Sequence, residues 1–216
     1  QTLCTLNHAH NQGIIHRDIK PLNVLMSTER MEAKVIDWGS GDYYIEGQRK
    51  SVRVGSLNFK APELLLGYEF YDYGVDIWSV GCLLAEMIFQ KIHFFQSEIR
   101  NMENEKAFEK QLEAIIRIRG SEELREYVEK FKEEIKLLDM VNELGIYEKV
   151  SFETFITEEN KHLVDSEVID LLEKMLELDH TRRVTALEAL RHRYFDEVRF
   201  FEGLEGEGEK KEDMSL

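Results

Sequence analysis

The segment "GIIHRDIKPLNVLM", residues 13–26, decides how the rest of the sequence is interpreted. Five polar or ionisable side chains occupy eight consecutive positions between two apolar flanks: His16, Arg17, Asp18, Lys20 and Asn23. So dense a mixture of charges is unsuited to a buried strand, because each buried polar group needs a partner. The segment therefore predicts an ordered loop that carries a chemical site.

Composition and charge limit the class of protein. The chain has 216 residues, 43% of them hydrophobic and 33% charged, which is enough for a substantial core. No apolar run reaches the roughly 18 residues of a membrane span and no signal-peptide pattern is visible, so we expect no membrane partner. The net charge of −15 argues against direct nucleic-acid binding. Cys4 and Cys82 lie too far apart for a disulfide framework or zinc site, and a reducing compartment is expected.

Helices are expected to dominate the fold. The opening "TLCTLNHAHNQG" predicts the last turns of a helix that Gly13 closes. His8 and His10 lie on opposing faces of that helix, which disfavours a shared metal site. The runs "NVLM" and "AKVIDWG" predict a β-hairpin, and residues 40–60 predict a long loop. From Tyr73, "YGVDIWSVGCLLAEMIF" is apolar on nearly every face and predicts a helix buried in the middle of the domain.

The second half of the sequence continues the helical pattern. Amphipathic helices are predicted over residues 104–118, 121–138 and 166–178. A further helix should follow Thr185, because Thr185 and Glu188 form the pattern of a capping box. Residues 201–216 are rich in Gly and Glu and have little to bury, so they predict an acidic disordered tail.

Three side chains with oxygen atoms stand out for their chemistry: Asp18, Asn23 five residues later, and Asp37 at the end of the predicted hairpin. Phosphoryl transfer requires a carboxylate facing the attacking hydroxyl, oxygen ligands for Mg²⁺ and a cation near the migrating group. Asp18 fits the first requirement, and Asn23 and Asp37 fit the second as hard oxygen ligands. Lys20 lies two residues beyond Asp18 on the same side of an extended loop, so it is placed to reach the γ-phosphoryl group.

The stretch "HRDIKPLN" (16–23) resembles the catalytic loop H-R-D-x-K-x-x-N of the eukaryotic protein kinases. Other kinase-like features follow in the same order as in that family: "DWG" at 37–39, "APE" at 61–63, Asp76 in the predicted buried helix, and Arg183. The resemblance implies a mainly α fold, the C-terminal lobe of a protein kinase. A small β-hairpin would bear its catalytic and metal-binding loops.

The resemblance also implies a role for each site residue. The catalytic residues would be Asp18 and Lys20. The nucleotide would be bound by Asn23 and Asp37, which would also hold the metal. The core-like Leu25 and Ile36 would lie beside the adenine. Structural support would come from His16, Arg17, Trp38, Gly39, Glu63, Asp76 and Arg183. Glu63 should pair with Arg183, and Asp76 should hold the backbone of the 16–17 turn. The alternative for Asp76 is that it only caps its own helix.

Within the kinases, the sequence resembles the catalytic subunit of casein kinase II. "DWG" in place of D-F-G is typical of that subunit, and the similarity covers "VRVGSLNFKAPELL" (52–65), residues 71–95 and "LDHTRRVTALEALRHRYF" (178–195). It implies a serine/threonine kinase of the cytoplasm and nucleus that uses Mg²⁺ with ATP, or with GTP as an alternative. A regulatory β subunit would bind mainly through an N-terminal lobe.

The same resemblance implies protein substrates with acidic residues near the target Ser or Thr. Arg53 and Lys60 match two of the basic residues that recognise those acids. Leu57 and Leu22 replace an Arg and a His of the family, so the preference should be weakened. The neighbouring basic pair at 49–50 could compensate, or could simply be solvated.

Two alternatives remain open from the sequence. The first is another kinase of the cyclin-dependent and mitogen-activated group, but "SLNFKAPE" lacks the phosphorylatable residue usual there. Ser56 stands where casein kinase II has a serine, so we expect an activation segment held by packing and not by phosphate. The second alternative is a stand-alone lobe that binds partners without catalysis.

No glycine-rich loop and no phosphate-binding lysine precede "HRD" in the sequence. We therefore expect residues 1–200 to form a C-terminal lobe without an N-terminal lobe, inactive when isolated.

Overall fold

The computed structural model describes residues 1–97 and 104–198, so the predicted acidic tail at 201–216 lies outside the described part of the chain. The helices are α1 (Thr2–Asn11), α2 (Pro62–Leu65), α3 (Gly74–Phe89), α4 (Asn104–Arg119), α5 (Glu122–Lys130), α6 (Leu138–Glu143), α7 (Ser166–Met175) and α8 (Ala186–Leu190). The strands are β1 (Ile14–Ile15), β2 (Val24–Ser27), β3 (Glu32–Val35) and β4 (Asp42–Tyr43). The described fold is thus mainly helical, as the sequence predicted.

Two small antiparallel sheets frame the loop that opened the sequence analysis. Strands β2 and β3 form the predicted hairpin, with Val24 opposite Val35. Strand β1 pairs with β4, and Ile15 lies opposite Asp42. The prediction of a loop throughout 40–60 was therefore wrong at β4, because a strand of two residues is too short to show periodicity and depends on its distant partner.

Helix α3 is the central element of the core. It is buried along most of its length, as predicted, and Trp78 stacks on Phe95 with the ring centres 5.6 Å apart. Gly81 allows the chain after α7 to approach closely, because a Cβ there would lie 2.8 Å from Leu176 Cδ2. None of the helices in the described ranges is both long enough and apolar enough to cross a membrane.

The helices after α3 agree with the sequence only in part. Helix α4 matches its predicted range, and Thr185 and Glu188 form the predicted capping box. The single helix predicted over 121–138 is wrong, since α5 ends at Lys130 and α6 begins at Leu138. Between them Ile135 is buried in the core, and the Leu137 N–H donates to the carbonyl of Leu66 at 3.2 Å. These tertiary contacts take the backbone out of helical geometry.

Helix α7 also ends earlier than predicted, at Met175. The following residues Leu176 and Leu178 are fully buried, and the guanidinium of Arg183 donates to the carbonyl of Glu177 at 2.9 Å. A side chain from further along the sequence therefore holds the backbone that follows α7.

A buried ion pair joins distant parts of the chain. The two terminal nitrogens of the Arg183 guanidinium, Nη1 and Nη2, donate to the carboxylate of Glu63 at 2.7 and 3.0 Å, and both side chains are fully buried. Arg183 also donates to the carbonyl of Gly74 at 2.9 Å and lies over the ring of Trp78. This is the pair that the sequence analysis predicted, and it connects α2, the start of α3 and the segment after α7.

We predict that Glu63→Gln lowers the free energy of unfolding by about 3–5 kcal/mol, because it leaves a buried guanidinium without its counter-ion. The measurement is urea unfolding followed by circular dichroism. The matched control is Glu129→Gln, which breaks an exposed pair with Lys132 and should cost at most about 1 kcal/mol.

The double variant Glu63→Leu with Arg183→Met provides a further comparison. It should be less destabilised than Glu63→Gln, because it removes both charges together. Equal losses in Glu63→Gln and Glu129→Gln would contradict the assignment.

Candidate active site

The backbone of the loop after β1 is held by a carboxylate from the core. Asp76, fully buried near the start of α3, accepts hydrogen bonds from the N–H groups of His16 and Arg17 at 2.8 and 2.7 Å. Arg17 has a left-handed conformation with φ of 68°, which is strained for a residue with a side chain. The contact expected of Asp76 is present, and α3 has no side-chain cap from its own N-cap residue. Asp76 therefore stabilises the loop and does not serve only its own helix.

The sequence analysis missed one partner of this carboxylate. His10 Nε2 lies 2.9 Å from Asp76 Oδ2, so α1 is attached to the same group as the loop. His10 had been considered only as a possible metal ligand. The pattern of residues within α1 does not indicate this contact, because Asp76 lies 66 residues away in the sequence.

His16 connects the loop to the segment that follows β3. Its ring is buried, its Nδ1 accepts the backbone N–H of Asp18 at 3.2 Å, and its Nε2 lies 3.0 Å from the carbonyl of Ile36. This network assigns the proton to Nε2, because an amide can only donate and a carbonyl can only accept. The edge of the ring meets Trp38 with the centres 4.6 Å apart. His16 and Trp38 therefore pack and position, as expected.

Three side chains converge on Asp18. Lys20 Nζ donates to Asp18 Oδ2 at 2.7 Å, and Ser56 Oγ donates to Asp18 Oδ1 at 2.9 Å. The amide of Asn23 donates to the backbone carbonyl of Asp18 at 2.8 Å and to Oδ2 at 3.2 Å. Lys20 also donates to Ser56 Oγ at 3.0 Å, which closes the cluster.

The cluster keeps the Asp18 carboxylate ionised. Partial burial by itself raises the pKa of Asp18, but the hydrogen bonds from Lys20, Ser56 and Asn23 and the charge of Lys20 outweigh it. The pKa of Asp18 therefore lies below its ordinary value. A carboxylate of this kind can orient a hydroxyl group and accept its proton late in a reaction.

Ser56 is a site residue whose contact the sequence analysis did not find. It was noted only for its match to a family position, 38 residues after Asp18. The preceding residue, Gly55, has φ of +74°, and a Cβ there would lie 2.5 Å from the carbonyl oxygen of Arg17. A glycine at this position is what allows the activation segment, residues 37–63, to touch the catalytic loop.

The hairpin brings the two predicted metal ligands to the same end. Ile36 N–H donates to the Asn23 carbonyl at 2.9 Å, at the end of the hairpin where β2 begins and β3 ends. Asp37 is the next residue, so it lies at that same end. The amide nitrogen of Asn23 donates to Asp18, so the amide oxygen is the atom of this side chain that would bind a cation. Asp37 is exposed and left-handed, with φ of 61°. A Cβ on Gly39 would lie 3.3 Å from Asp37 Oδ1, so Gly39 leaves room for this carboxylate.

The donor set fits magnesium held together with a nucleotide. In the described ranges, no three His, Cys, Asp or Glu side chains are grouped so that they could hold a metal ion by themselves. Mg²⁺ in phosphoryl-transfer sites is bound by one or two carboxylates, waters and substrate phosphates, and does not need an all-protein cage. Asn23 and Asp37 supply one amide oxygen and one carboxylate, which matches that manner of binding.

The two apolar residues predicted to be core-like beside the adenine are not in the core. Leu25 is 55% exposed and Ile36 is 36% exposed, and Met26 and Trp38 are also exposed on the same segments. The prediction of core positions was wrong because a hairpin of two strands leaves part of its surface uncovered. Ile36 directly precedes Asp37, and Leu25 lies two residues after Asn23, so both stay close in sequence to the metal-ligand candidates.

The guanidinium of Arg17 holds the start of the activation segment. It donates to the carbonyl of Ser40 at 2.6 Å, to the carboxylate of Asp42 at 2.9 Å and to the hydroxyl of Tyr71 at 3.2 Å. The Tyr71 hydroxyl in turn donates to the carbonyl of Ser51 at 2.7 Å. Arg17 therefore joins the catalytic loop to both ends of the 40–51 stretch.

The basic residues predicted to recognise substrate differ in their placement. Arg53 is exposed, whereas Lys60 is only 5% exposed. Burial lowers the pKa of Lys60 to about 8, against a smaller opposing effect of the Asp18 charge.

The basic pair at residues 49–50 is not a solvated pair. Lys50 is buried over the ring of Tyr44, so the alternative of a solvated pair is wrong for Lys50. Arg49 lies 3.7 Å from a carboxylate oxygen of Glu69.

We predict that Gly55→Ala in the natural protein lowers kcat by about a hundredfold, because displacing a catalytic group by about an ångström can cost that much. The matched control is Gly47→Ala. Gly47 has a similar φ of +72°, but a Cβ there would meet nothing within 4 Å, so it carries the backbone strain without the clash. The measurement is steady-state phosphate transfer together with thermal unfolding. Equal losses of kcat in the two variants would contradict the role assigned to Gly55.

Comparison with known families agrees with this geometry. The protein kinase domain family matches residues 1–195, which is most of the chain and includes every residue of the cluster around Asp18. The match supports a kinase enzyme, and protein kinases generally use ATP and Mg²⁺. The chain belongs to the protein kinase family.

Proposed function

We propose that this chain carries the catalytic machinery of a serine/threonine protein kinase of the casein kinase II type. It would transfer the γ-phosphoryl group of ATP, with GTP as an alternative donor, to Ser or Thr hydroxyls of protein substrates. The observation that carries the proposal is the cluster in which Lys20, Ser56 and Asn23 surround the ionised Asp18. That arrangement provides a fixed carboxylate with an adjacent cation.

Asp18 orients the substrate hydroxyl and receives its proton. A carboxylate with a lowered pKa is a weak base, which is adequate when the transition state is loose and little negative charge is required on the nucleophile beforehand. The hydrogen bonds from Ser56 and Asn23 fix the direction of the carboxylate, so its orientation does not have to be established during the reaction.

Lys20 and the metal-ligand candidates stabilise the developing charge. The Lys20 ammonium lies 2.7 Å from Asp18, close to where the phosphoryl group meets the hydroxyl. Asn23 and Asp37 would hold magnesium, which neutralises charge on the phosphate oxygens when bound. Leu25 and Ile36 present apolar surface for the base of the nucleotide.

The preference for Ser or Thr, and for acids near them, rests on the resemblance of residues 52–65 to casein kinase II. The exposed Arg53 supports it, because a solvated guanidinium is available to a substrate carboxylate. Leu57 and the net charge of −15 weaken it. A regulatory β subunit and a location in cytoplasm and nucleus are further parts of the proposal that depend on the same resemblance.

We predict that Asp18→Asn in the natural protein lowers kcat by about 10²–10⁴-fold, the effect of losing a general base. Asp37→Ala should abolish turnover of Mg-ATP, because the carboxylate ligand is lost. The control is Asp139→Asn on α6, an exposed carboxylate remote in sequence from the site, which should leave kcat unchanged. Circular dichroism establishes that each variant is folded. Near-normal turnover of a folded Asp18→Asn or Asp37→Ala protein would refute the assignment.

We predict that substrates with Asp directly after the target Ser or Thr are preferred to those with Ala, Lys or Pro. A peptide array that varies only this position measures the preference. Leu57→Arg should increase selection of Asp, since it restores the guanidinium that casein kinase II has at this position of the activation segment. A preference for Pro would place the protein in the cyclin-dependent and mitogen-activated group instead. Absence of transfer to every peptide would favour the binding-module alternative.

A further inference from the structure

The ammonium of Lys60 is enclosed by the activation segment. Lys60 Nζ donates to the carbonyl of Val52 at 3.1 Å and to the carbonyl of Val54. It also lies over the ring of Phe108 on α4, 5.1 Å from the ring centre. A buried ammonium is unfavourable unless its hydrogen-bonding groups are satisfied, so these contacts account for its position.

The contacts of Lys60 lead directly to the catalytic carboxylate. Val54 is followed by Gly55, whose backbone lies against the carbonyl of Arg17, and then by Ser56, whose hydroxyl donates to Asp18 at 2.9 Å. Gly55 alone lies between Val54, whose carbonyl accepts from Lys60, and Ser56. A shift of the Val54 carbonyl would therefore be transmitted to Ser56 and to the direction of Asp18.

We propose that Lys60 is a positioning residue, which fixes residues 52–56 against the catalytic loop and does not contact acidic residues of the substrate. This inference rests on the proposed kinase function. It changes the role that family resemblance gave to Lys60.

The burial of Lys60 opposes the substrate-binding role. To reach a substrate carboxylate, its side chain would have to leave two carbonyl groups and the ring of Phe108, and those carbonyls would lose a charged donor. Arg53 requires no such rearrangement, because it is already exposed on the same segment. Recognition of an acid by this segment is therefore expected to depend on Arg53.

The test separates positioning from recognition by two readouts in the natural protein. The peptides carry either Asp or Ala directly after the target Ser. Lys60→Met should lower kcat by up to about a hundredfold with both peptides and leave the Asp-to-Ala ratio of kcat/KM unchanged. Lys60→Arg keeps the charge and the donors, so it should recover part of kcat. Arg53→Ala should lower the Asp-to-Ala ratio.

The matched control is Lys132→Met, the same substitution at an exposed lysine, which should change neither kcat nor the ratio. A normal kcat in Lys60→Met overturns the inference. So does a fall in the Asp-to-Ala ratio in Lys60→Met as large as that in Arg53→Ala. If Lys60→Met does not fold, the same comparison is made with Lys60→Arg, where a fall in the ratio is the overturning result.

A measurement on the unaltered protein tests the contact independently of activity. An amine-acetylating reagent should modify Lys60 at least about tenfold more slowly than Lys132, because the reaction must wait for local opening of the segment. Mass spectrometry measures the two rates. Equal rates overturn the placement of Lys60. Absence of any phosphate transfer by the unaltered protein would instead refute the proposed function, and the labelling rates would still decide the contact.

Discussion

The site depends on the hydrogen bonds that the carboxylate of Asp76 accepts from the catalytic loop. It is buried at the start of the central helix α3, where an unpaired charge would be very unfavourable, and it accepts the N–H groups of His16 and Arg17 together with His10 Nε2. These donors compensate the charge of Asp76, and in return Arg17 is held in a strained left-handed conformation. Asp18 follows directly after this turn. The buried core helix thereby fixes the backbone that carries the reactive group.

A second set of contacts holds the activation segment to the same loop. Arg17 reaches Ser40 and Asp42 at its start, and Ser56 meets Asp18 near its end. Ser79 on α3 donates to the carbonyl of Phe59 at 2.8 Å, which attaches the segment directly to the core. These hydrogen bonds attach the segment both to the catalytic loop and to α3. That the segment is held by packing and not by an added phosphate stays a prediction from the sequence.

Buried charges recur in this domain, and each has specific partners. Glu63 and Arg183 compensate each other, and the charge of Arg183 outweighs burial so that the pKa of Glu63 is lowered. Lys60 has backbone carbonyls and an aromatic ring instead of a carboxylate. Groups of this kind add little net stability compared with apolar residues, but removing one partner leaves a buried charge uncompensated. The geometry described here satisfies Glu63, Arg183 and Lys60 together.

The sequence by itself determined the local features and predicted the chemistry. A long apolar run located α3, periodicity located α4, the spacing of Thr185 and Glu188 fixed a capping box, and the loop at 16–23 predicted a site around Asp18. Features that depend on distant partners could not be obtained in this way. They include the contact of His10 with Asp76, the position of Ser56, the break between α5 and α6, the exposure of Leu25 and the burial of Lys60. Local pattern encodes helix faces and turns because neighbouring residues decide them. Burial of a charged side chain is decided by the atoms that surround it, which come from the same segment for Lys60 and from about 60 residues away for Asp76. Only the tertiary structure brings those atoms together.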